Sequence, residues 1–215
     1  MAPKTIEERL QHMEDIHEIQ QLMGRYPYYV MMMDYAGMNE NLFAKKNPGV
    51  KVHLGSIGYW QGTDAPERST AAIGGHGTPQ DKTGRMTIHA PICPVIEVAG
   101  DGKTAKGIWI GLGLLAMKND KGEPTGAWEF DKYGVDFIKE DGHWKIWHHH
   151  IYDLLKGWNV DEKWADMFKK PRHVGAGIQP DGPTFDHNPY SPTTLLTNAP
   201  KPPEPYETWS DTISY

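Results

Sequence analysis

The sequence has a single cysteine, Cys93, which excludes an intrachain disulfide and any metal site built from several thiolates. It has no apolar run long enough to cross a membrane, and the polar stretch from Met1 to Arg9 does not resemble a signal peptide. Basic residues number 22 against 28 acidic ones, for a formal net charge of −6, and they form no basic stripe. These absences predict a cytoplasmic protein with neither a nucleic-acid nor a membrane partner.

Aromatic residues are plentiful, with 8 tryptophans and 10 tyrosines in 215 residues, which is typical of a cavity wall or a large interface. From Pro171 to Tyr215 the periodicity disappears and prolines become frequent, yet aromatic residues remain. We therefore predict one domain over residues 1–170 and a proline-rich tail over residues 171–215 that wraps the domain or a partner subunit.

Helices are predicted in the N-terminal part of the chain. Thr5 and Glu8 have the spacing of a capping box, and apolar residues follow at intervals of three and four as far as Tyr26. Pro27 interrupts this pattern, so the apolar piece that ends at Tyr35 is expected to be helix after a kink. Residues 37–49 are expected to form a loop that can include one helical turn, and a further short helix is expected to follow residue 64.

Strands dominate the predicted core after residue 85. They are expected over residues 86–98, where Pro91 and Pro94 indicate a bulge or an edge, and over residues 103–117, 126–139 and 142–153. Tight turns join these strands into an antiparallel meander. Because the helices precede the sheet and do not alternate with its strands, the predicted fold class is α+β.

Three consecutive histidines occupy the last predicted strand. Regular alternation places His148 and His150 on the face of Trp144 and Ile146, and it places His149 on the opposite face. We expect His148 and His150 to face a pocket.

Several short motifs, in this order, resemble the SnoaL-like branch of the NTF2-like superfamily over residues 5–155. They are Tyr29-x4-Asp34-Tyr35, Tyr59-Trp60-Gln61-Gly62, Thr87-Ile88-His89, Val95-Ile96-Glu97-Val98 with Gly100-Asp101-Gly102, and Asp141-Gly142-His143-Trp144-Lys145-Ile146. The resemblance implies an NTF2-like cone, in which N-terminal helices pack on a curved antiparallel sheet and enclose a pocket. The superfamily includes dehydratases, an isomerase, polyketide cyclases, a diarylpropane lyase and binding-only proteins, so the fold alone does not decide the function.

The resemblance also implies roles for individual residues. In the dehydratases of this family a Tyr, an Asp and a His surround the substrate, and Tyr29, Asp34 and His89 occupy the matching positions. An imidazole, or a carboxylate in apolar surroundings, can take a proton next to a carbonyl, and a tyrosine hydroxyl can hold the developing oxyanion. We expect His148 or His150 to assist. The residues expected to bind the substrate are Tyr28, Tyr59, Trp60, Arg85 and Trp109.

The strand around Trp109 departs from the bile acid 7α-dehydratase pattern because it lacks an acidic residue, which argues against a bile acid substrate. Its glycines, Gly107, Gly111 and Gly113, are interpreted as room for a flat, bulky substrate. A metal site of three histidines and one carboxylate, built from His89, His148, His150 and Asp34, is a further hypothesis. The enzymes that the chain resembles work without a metal, so no metal and no cofactor are expected.

These features predict a cofactor-independent lyase, either a dehydratase or a C–C lyase such as a deformylating enzyme. Its substrate would be a small, hydrophobic, aromatic or polycyclic hydroxylated molecule, and the reaction would proceed by acid–base proton transfer. The alternatives are an isomerase or polyketide-cyclase-type enzyme with the same base, a non-catalytic protein that binds small molecules, and a histidine–metal protein. The wall aromatics and the long sheet predict a homodimer or higher homo-oligomer that packs through the sheet.

Overall fold

The computed structural model describes residues 5–73, 84–118, 121–158, 178–183 and 200–215. These ranges contain helices α1 (Ile6–Met32), α2 (Tyr35–Leu42) and α3 (Ala65–Ala72), and strands β1 (Lys51–Leu54), β2 (Gly58–Gln61), β3 (Met86–Val98), β4 (Thr104–Lys118), β5 (Pro124–Glu140) and β6 (His143–Trp158). The six strands form one sheet in the order β2-β1-β6-β5-β4-β3. The α+β class and the meander are confirmed, although β1 runs parallel to β6 and makes the sheet mixed.

Helix α1 begins with the predicted capping box. The Glu8 amide donates to Thr5 Oγ1 at 3.2 Å, and the Thr5 amide donates to Glu8 Oε2 at 2.7 Å. The helix continues through Pro27, packs against β3 and β6, and ends where Met33 adopts a left-handed φ of 53°. Helix α2 then replaces much of the loop expected over residues 37–49. None of the helices in the described ranges has the length and apolarity of a membrane span.

The sheet has two faces, which we name by what covers them. The inner face carries Tyr133, Val135 and Phe137 and is covered by α1, whose Tyr26 ring lies 6.0 Å from that of Tyr133. The hydrophobic core therefore lies between α1 and this inner face. Trp144 links the sheet to the helix layer, because its indole N–H donates a hydrogen bond to Asp15 Oδ1 of α1 at 3.0 Å.

The outer face is covered in part by the C-terminal tail. The Gly100 amide donates to the Tyr206 carbonyl at 2.8 Å, and the chain then crosses the sheet until the Tyr215 ring lies over Lys106 Nζ at 4.0 Å. Another part of the tail lies along β2, where the Tyr59 amide donates to the Gly182 carbonyl at 3.2 Å. The described parts of the tail thus lie against β2 and against the outer face of the sheet. The helix predicted over residues 161–169 and the boundary at residue 170 lie outside the described residues.

Two strands carry irregularities that matter for the site. Edge strand β3 has a register shift between Ile92 and Val95, where Cys93 has a φ of 54°, as its two prolines predicted. In β6, Ile146 lies opposite Phe137 and His148 lies opposite Asp136 of β5, so Trp147 is an extra residue in a β-bulge.

Candidate active site

The bulge at Trp147 reverses the alternation of the side chains from His148 to Asp153, where a second register shift follows. His149 therefore faces the inner side, with its ring 5.1 Å from the Tyr26 ring, 5.7 Å from Tyr133 and 6.1 Å from Phe43. The opposition between His149 and its two neighbours is confirmed, but the predicted faces are wrong because an extra residue shifts the period of two by one position.

His148 and His150 lie on the outer face and not on the face of Trp144. His148 Nδ1 lies 2.8 Å from Asp136 Oδ2, and its ring stacks on Trp147 at 4.2 Å. The His150 ring stacks on Tyr152 at 3.7 Å. The structure therefore does not bring His148 and His150 together with His89, which lies on the inner face, and the hypothesised metal set of three histidines is not assembled.

His89 lies at the centre of a polar cluster on the inner face. Its neighbour across β3 and β4 is Gly113, which in turn pairs with Glu129 of β5. The Tyr133 hydroxyl lies 3.2 Å from His89 Nδ1, and Glu129 Oε2 lies 3.3 Å from His89 Nε2. Lys156 forms an ion pair with the other oxygen of Glu129. The His89 cluster is defined as His89, Glu129, Asp131, Tyr133 and Lys156.

The environment of this cluster determines which groups hold protons. Burial, with Asp131 and Tyr26 adding to it, raises the pKa of Tyr133 well above its ordinary value, so the phenol keeps its proton. Its O–H can therefore donate to His89 Nδ1, while a proton on Nε2 points to the Glu129 carboxylate. His89 is thus held between a hydroxyl and a carboxylate, an arrangement suited to moving a proton.

Three groups of the cluster also have a geometry that could hold a cation. One ligand atom each from His89, Glu129 and Asp131 lies within 4.8 Å of the others, and both carboxylates are almost fully buried. The Lys156 ammonium already pairs with Glu129 and supplies positive charge at this position. One imidazole and two carboxylates are a donor type that suits a borderline divalent ion such as Zn²⁺, but the Lys156 side chain already supplies positive charge there.

The glycines of β4 make room for the protein's own side chains. A β-carbon at Gly113 would lie 2.8 Å from Glu129 Cβ and 3.3 Å from His89 Nδ1, and one at Gly111 would lie 2.7 Å from the Tyr133 ring. At Gly107 the obstacle is the Trp109 ring. The interpretation of these glycines as space for a substrate is wrong, because the space is already filled by the His89 cluster and the core.

We expect Gly113→Ala to disturb the His89 cluster directly. The new methyl group pushes on Glu129 and on the His89 ring, both of which are held by neighbours, and overpacking of this kind costs about 1–3 kcal/mol. Urea unfolding should therefore show a lower free energy of unfolding. Gly24→Ala is the control, since nothing lies within 4 Å of its β-carbon position and alanine favours the helix. An equal effect of the two substitutions would contradict this explanation.

Asp34 is not in the apolar surroundings expected for it. It is exposed at the start of α2, where its Oδ1 accepts a hydrogen bond from the Gly37 amide at 3.0 Å. The physical reason is that α1 ends at Met33, so Asp34 caps the next helix. Tyr29 is partly buried and packs against the core.

The residues expected to bind substrate have different positions. Trp60 and Trp109 are buried in the core, as wall residues would be, whereas Tyr28 is 68% exposed and does not line a pocket. Tyr59 pairs with the tail and stacks on His53 at 5.3 Å, which places it on the outer side. Arg85 is exposed and lies close enough to Tyr35 to oppose the rise in pKa that burial gives this tyrosine.

The sequence interpretation missed the inner-face groups Glu129, Asp131, Tyr133, His149 and Tyr26. Burial lowers the pKa of His149 to about 4, so the ring is neutral, and its Nε2 is buried without a hydrogen-bond partner in the described part of the chain. Burial also raises the pKa of Tyr26. The sequence did contain a signal for the carboxylates. Glu129 and Asp131 alternate in phase with Tyr133 along one strand, so all three side chains are expected on the same face of the sheet.

Comparisons with known proteins give the family and the fold. The family model of the SnoaL-like domain matches residues 11–150. Among solved structures, a candidate scytalone dehydratase from Novosphingobium aromaticivorans is 18% identical, with 81% of this chain and 98% of that chain covered and a TM-score of 0.55. The hexachlorocyclohexane dehydrochlorinase LinA-type3 from Novosphingobium barchaimii is 14% identical, with 72% and 96% covered and a TM-score of 0.54.

A candidate aromatic ring hydroxylase from Novosphingobium aromaticivorans is 16% identical, with 69% of this chain and 96% of that chain covered and a TM-score of 0.53. Identities this low establish likeness of fold alone. The comparison with curated protein sequences finds no match.

Proposed function

Because the chain belongs to the SnoaL-like domain family, we propose that it is a cofactor-independent lyase that acts on a small, hydrophobic, hydroxylated molecule. The observation that carries this proposal is the position of the His89 imidazole between the Tyr133 hydroxyl and the Glu129 carboxylate. Two structural neighbours are named for eliminations, one of water and one of hydrogen chloride, and both names agree with acid–base chemistry in this fold.

His89 is the proposed base. When a substrate oxygen comes within reach of Tyr133, the hydroxyl rotates its hydrogen from His89 Nδ1 to that oxygen and frees the Nδ1 lone pair. The imidazole then takes the proton from the carbon next to the substrate carbonyl, and the electron pair of the broken C–H bond moves to the carbon–carbon bond. Glu129 stabilises the imidazolium through the Nε2–H, as carboxylates do for catalytic histidines elsewhere.

The same imidazolium is the proposed acid. It returns the proton from Nδ1 to the departing hydroxyl, which leaves as water, so the protein ends in its starting protonation state. In the C–C lyase variant the base instead takes the proton of the hydroxyl whose carbon departs as an aldehyde, and returns it to the carbon that remains. Either way Tyr133 holds the developing negative charge, because burial keeps its proton in place.

Two further inner-face groups are proposed to orient the substrate. The Tyr26 hydroxyl keeps its proton, and the neutral His149 ring lies between Tyr26 and Tyr133, with a buried Nε2 that has no hydrogen-bond partner in the described part of the chain. The surrounding rings are mostly aromatic, which favours an aromatic or polycyclic substrate whose flat faces stack on them.

The test is a panel of aryl β-hydroxy ketones, including ones with a primary hydroxyl that can lose either water or formaldehyde, followed by product mass. A loss of water or of formaldehyde supports the lyase. A product of unchanged mass would instead identify an isomerase or cyclase. Thermal stabilisation by a panel member without any product would identify a binding protein, because ligands that bind only the folded state raise its stability.

A homodimer that packs through the sheet is also proposed. On the outer face Ile92 and Ile110 are neighbours across β3 and β4 and are 43% and 46% exposed, while Trp128 is 48% exposed. Large apolar side chains grouped at a surface are typical of interaction sites. The mass of the full chain in solution, measured by light scattering, decides between a dimer and a monomer.

A further inference from the structure

The last residues of the tail contact the bulge in β6 from the outer face. The Trp209 ring lies 4.4 Å from the Trp147 ring and 5.5 Å from the His148 ring. Ser214 Oγ donates to Asp136 Oδ2 at 2.8 Å and lies 3.1 Å from His148 Nδ1. We call Trp209, Ser214 and Tyr215 the clamp.

The clamp covers a set of titratable groups that a bare sheet face would leave in water. Asp136 is fully buried, and both His148 and Lys106 are 6% exposed. Lys106 Nζ lies 3.5 Å from Asp136 Oδ1, and the Tyr215 ring covers this ammonium. The Tyr215 ring occupies the space above Gly134, where a β-carbon would lie 2.7 Å from Tyr215 Cγ. The fit of this ring requires a glycine at that position.

His148 is fixed by two acceptors on its opposite ring nitrogens. Nδ1 lies 2.8 Å from Asp136 Oδ2, and Nε2 lies 3.0 Å from the Gly49 carbonyl. Both partners lie on the outer side of the sheet, so they hold His148 there. Since Asp136 is also the partner of Ser214, the tail and β5 hold the imidazole jointly.

The position of His148 determines that of His149. With Trp147 as the extra residue, His148 faces outward and His149 faces inward. Without the bulge, strict alternation from Ile146 would turn His148 into the core and His149 to the outside, because a shift of one residue exchanges the two faces. The bulged residue is the one that Trp209 covers.

We propose that the C-terminal clamp sets the register of β6, and that Trp209 and Ser214 are positioning residues for His149. The proposal concerns the direction of a side chain, and it rests on the proposed function only where turnover is measured. The clamp touches no substrate, since it lies on the face opposite the His89 cluster. It acts by stabilising the bulged strand against the regular one.

The direct test measures His149 without any substrate. In the full chain labelled with ¹⁵N-histidine, His149 should titrate at about 4, as its burial beside Tyr26, Tyr133 and Phe43, with His89 nearby, requires. In Trp209→Ala we expect its titration to move toward the ordinary value of 6.5 as the ring gains access to the outer side. Ser214→Ala should move it in the same direction, and Ser214→Thr, which keeps the hydroxyl, should restore it.

Thr212→Ala is the matched control, because Thr212 is exposed in the same segment and its hydroxyl lies 2.9 Å from that of Ser210, away from the clamp. The control should leave the His149 titration unchanged. If His149 also titrates at about 4 in Trp209→Ala and in Ser214→Ala, the register is set without the clamp and the proposal is wrong.

Turnover gives a second, independent readout once the panel supplies a substrate. Trp209→Ala should lower kcat by about 10- to 100-fold, the usual consequence of misplacing a group in the site. In a His149→Phe background the same substitution should have no further effect, since its target is gone. Effects that multiply independently would contradict the positioning role. If no panel compound is turned over, the proposed function is contradicted but the proposal about the clamp is not. The His149 titration then decides whether the clamp sets the register.

Discussion

His89→Gln should lower kcat by about 10²- to 10⁴-fold, the contribution typical of a positioned acid–base group. Glutamine keeps a polar side chain near the Tyr133 hydroxyl and Glu129, but it has no nitrogen that accepts a proton near neutral pH. The measurement is turnover of whichever panel compound loses water or formaldehyde, with circular dichroism to establish that the variant is folded. The Michaelis constant should change far less than kcat, because the lost interaction belongs to the proton transfer.

Two companion variants separate the roles of the carboxylates. Glu129→Gln removes the charge that stabilises the imidazolium, so it should also lower kcat, by less than His89→Gln. Asp34→Asn is the control, because Asp34 is exposed and its Oδ1 caps α2 through the Gly37 amide. Turnover in Asp34→Asn should remain within a few-fold of the unmodified protein. A loss in Asp34→Asn as large as that in His89→Gln would restore Asp34 to the proton-transfer step and contradict the assignment of Glu129.

The parts of the fold that depend on local sequence could be predicted. Thr5 and Glu8 form a capping box because each partner lies within one helical turn of the other. The meander follows from tight turns such as Gly100-Asp101-Gly102, which bring consecutive strands together without long connections. The bulge in β3 could be predicted because Pro91 and Pro94 lack the backbone N–H groups that a regular ladder of interstrand hydrogen bonds requires. In each case the determinant lies within a few residues of the structure that it produces.

The faces of the histidines could not be predicted, because their determinant lies elsewhere in the chain. Nothing beside Trp147 in the sequence marks it as an extra residue. The groups that favour the bulge are Asp136 on the neighbouring strand and Trp209 in the tail. Periodicity describes a strand only as long as its register is continuous, so one inserted residue exchanged the faces of every histidine after it.

The candidate site was predicted in part. His89 was identified, and the structure places it on the inner face with Tyr133 and Glu129. The partner expected for it, Asp34, was chosen from a motif that spans the end of α1, and the sequence did not reveal where that helix would end. Glu129 lies on a strand that is far from His89 in the sequence. Only the pairing of β3 with β4 and of β4 with β5 brings the two side chains together.

Acid should destabilise this protein through its buried neutral histidines. The pKa of His149 is lowered from 6.5 to about 4 by burial, so over this interval the unfolded chain binds a proton that the folded chain does not. The free energy of unfolding therefore falls as the pH drops from 6.5 toward 4, and it levels off below that because both states are then protonated. The expected loss from His149 alone is about 3 kcal/mol. His53, whose pKa burial lowers to about 3, acts in the same direction.

His149→Phe should remove the part of this pH dependence that belongs to His149. Phenylalanine keeps a planar ring among Tyr26, Tyr133 and Phe43 and has no titratable nitrogen. Urea unfolding at a series of pH values should show a shallower slope between pH 6.5 and 4 than the unmodified protein shows. His143→Gln is the control, because this side chain is 76% exposed on the same strand and its loss should leave the slope unchanged. Comparison of slopes cancels any difference in packing between the rings. Equal slopes in all three proteins would mean that His149 reaches solvent in the folded state and does not lie against the inner face as a neutral ring.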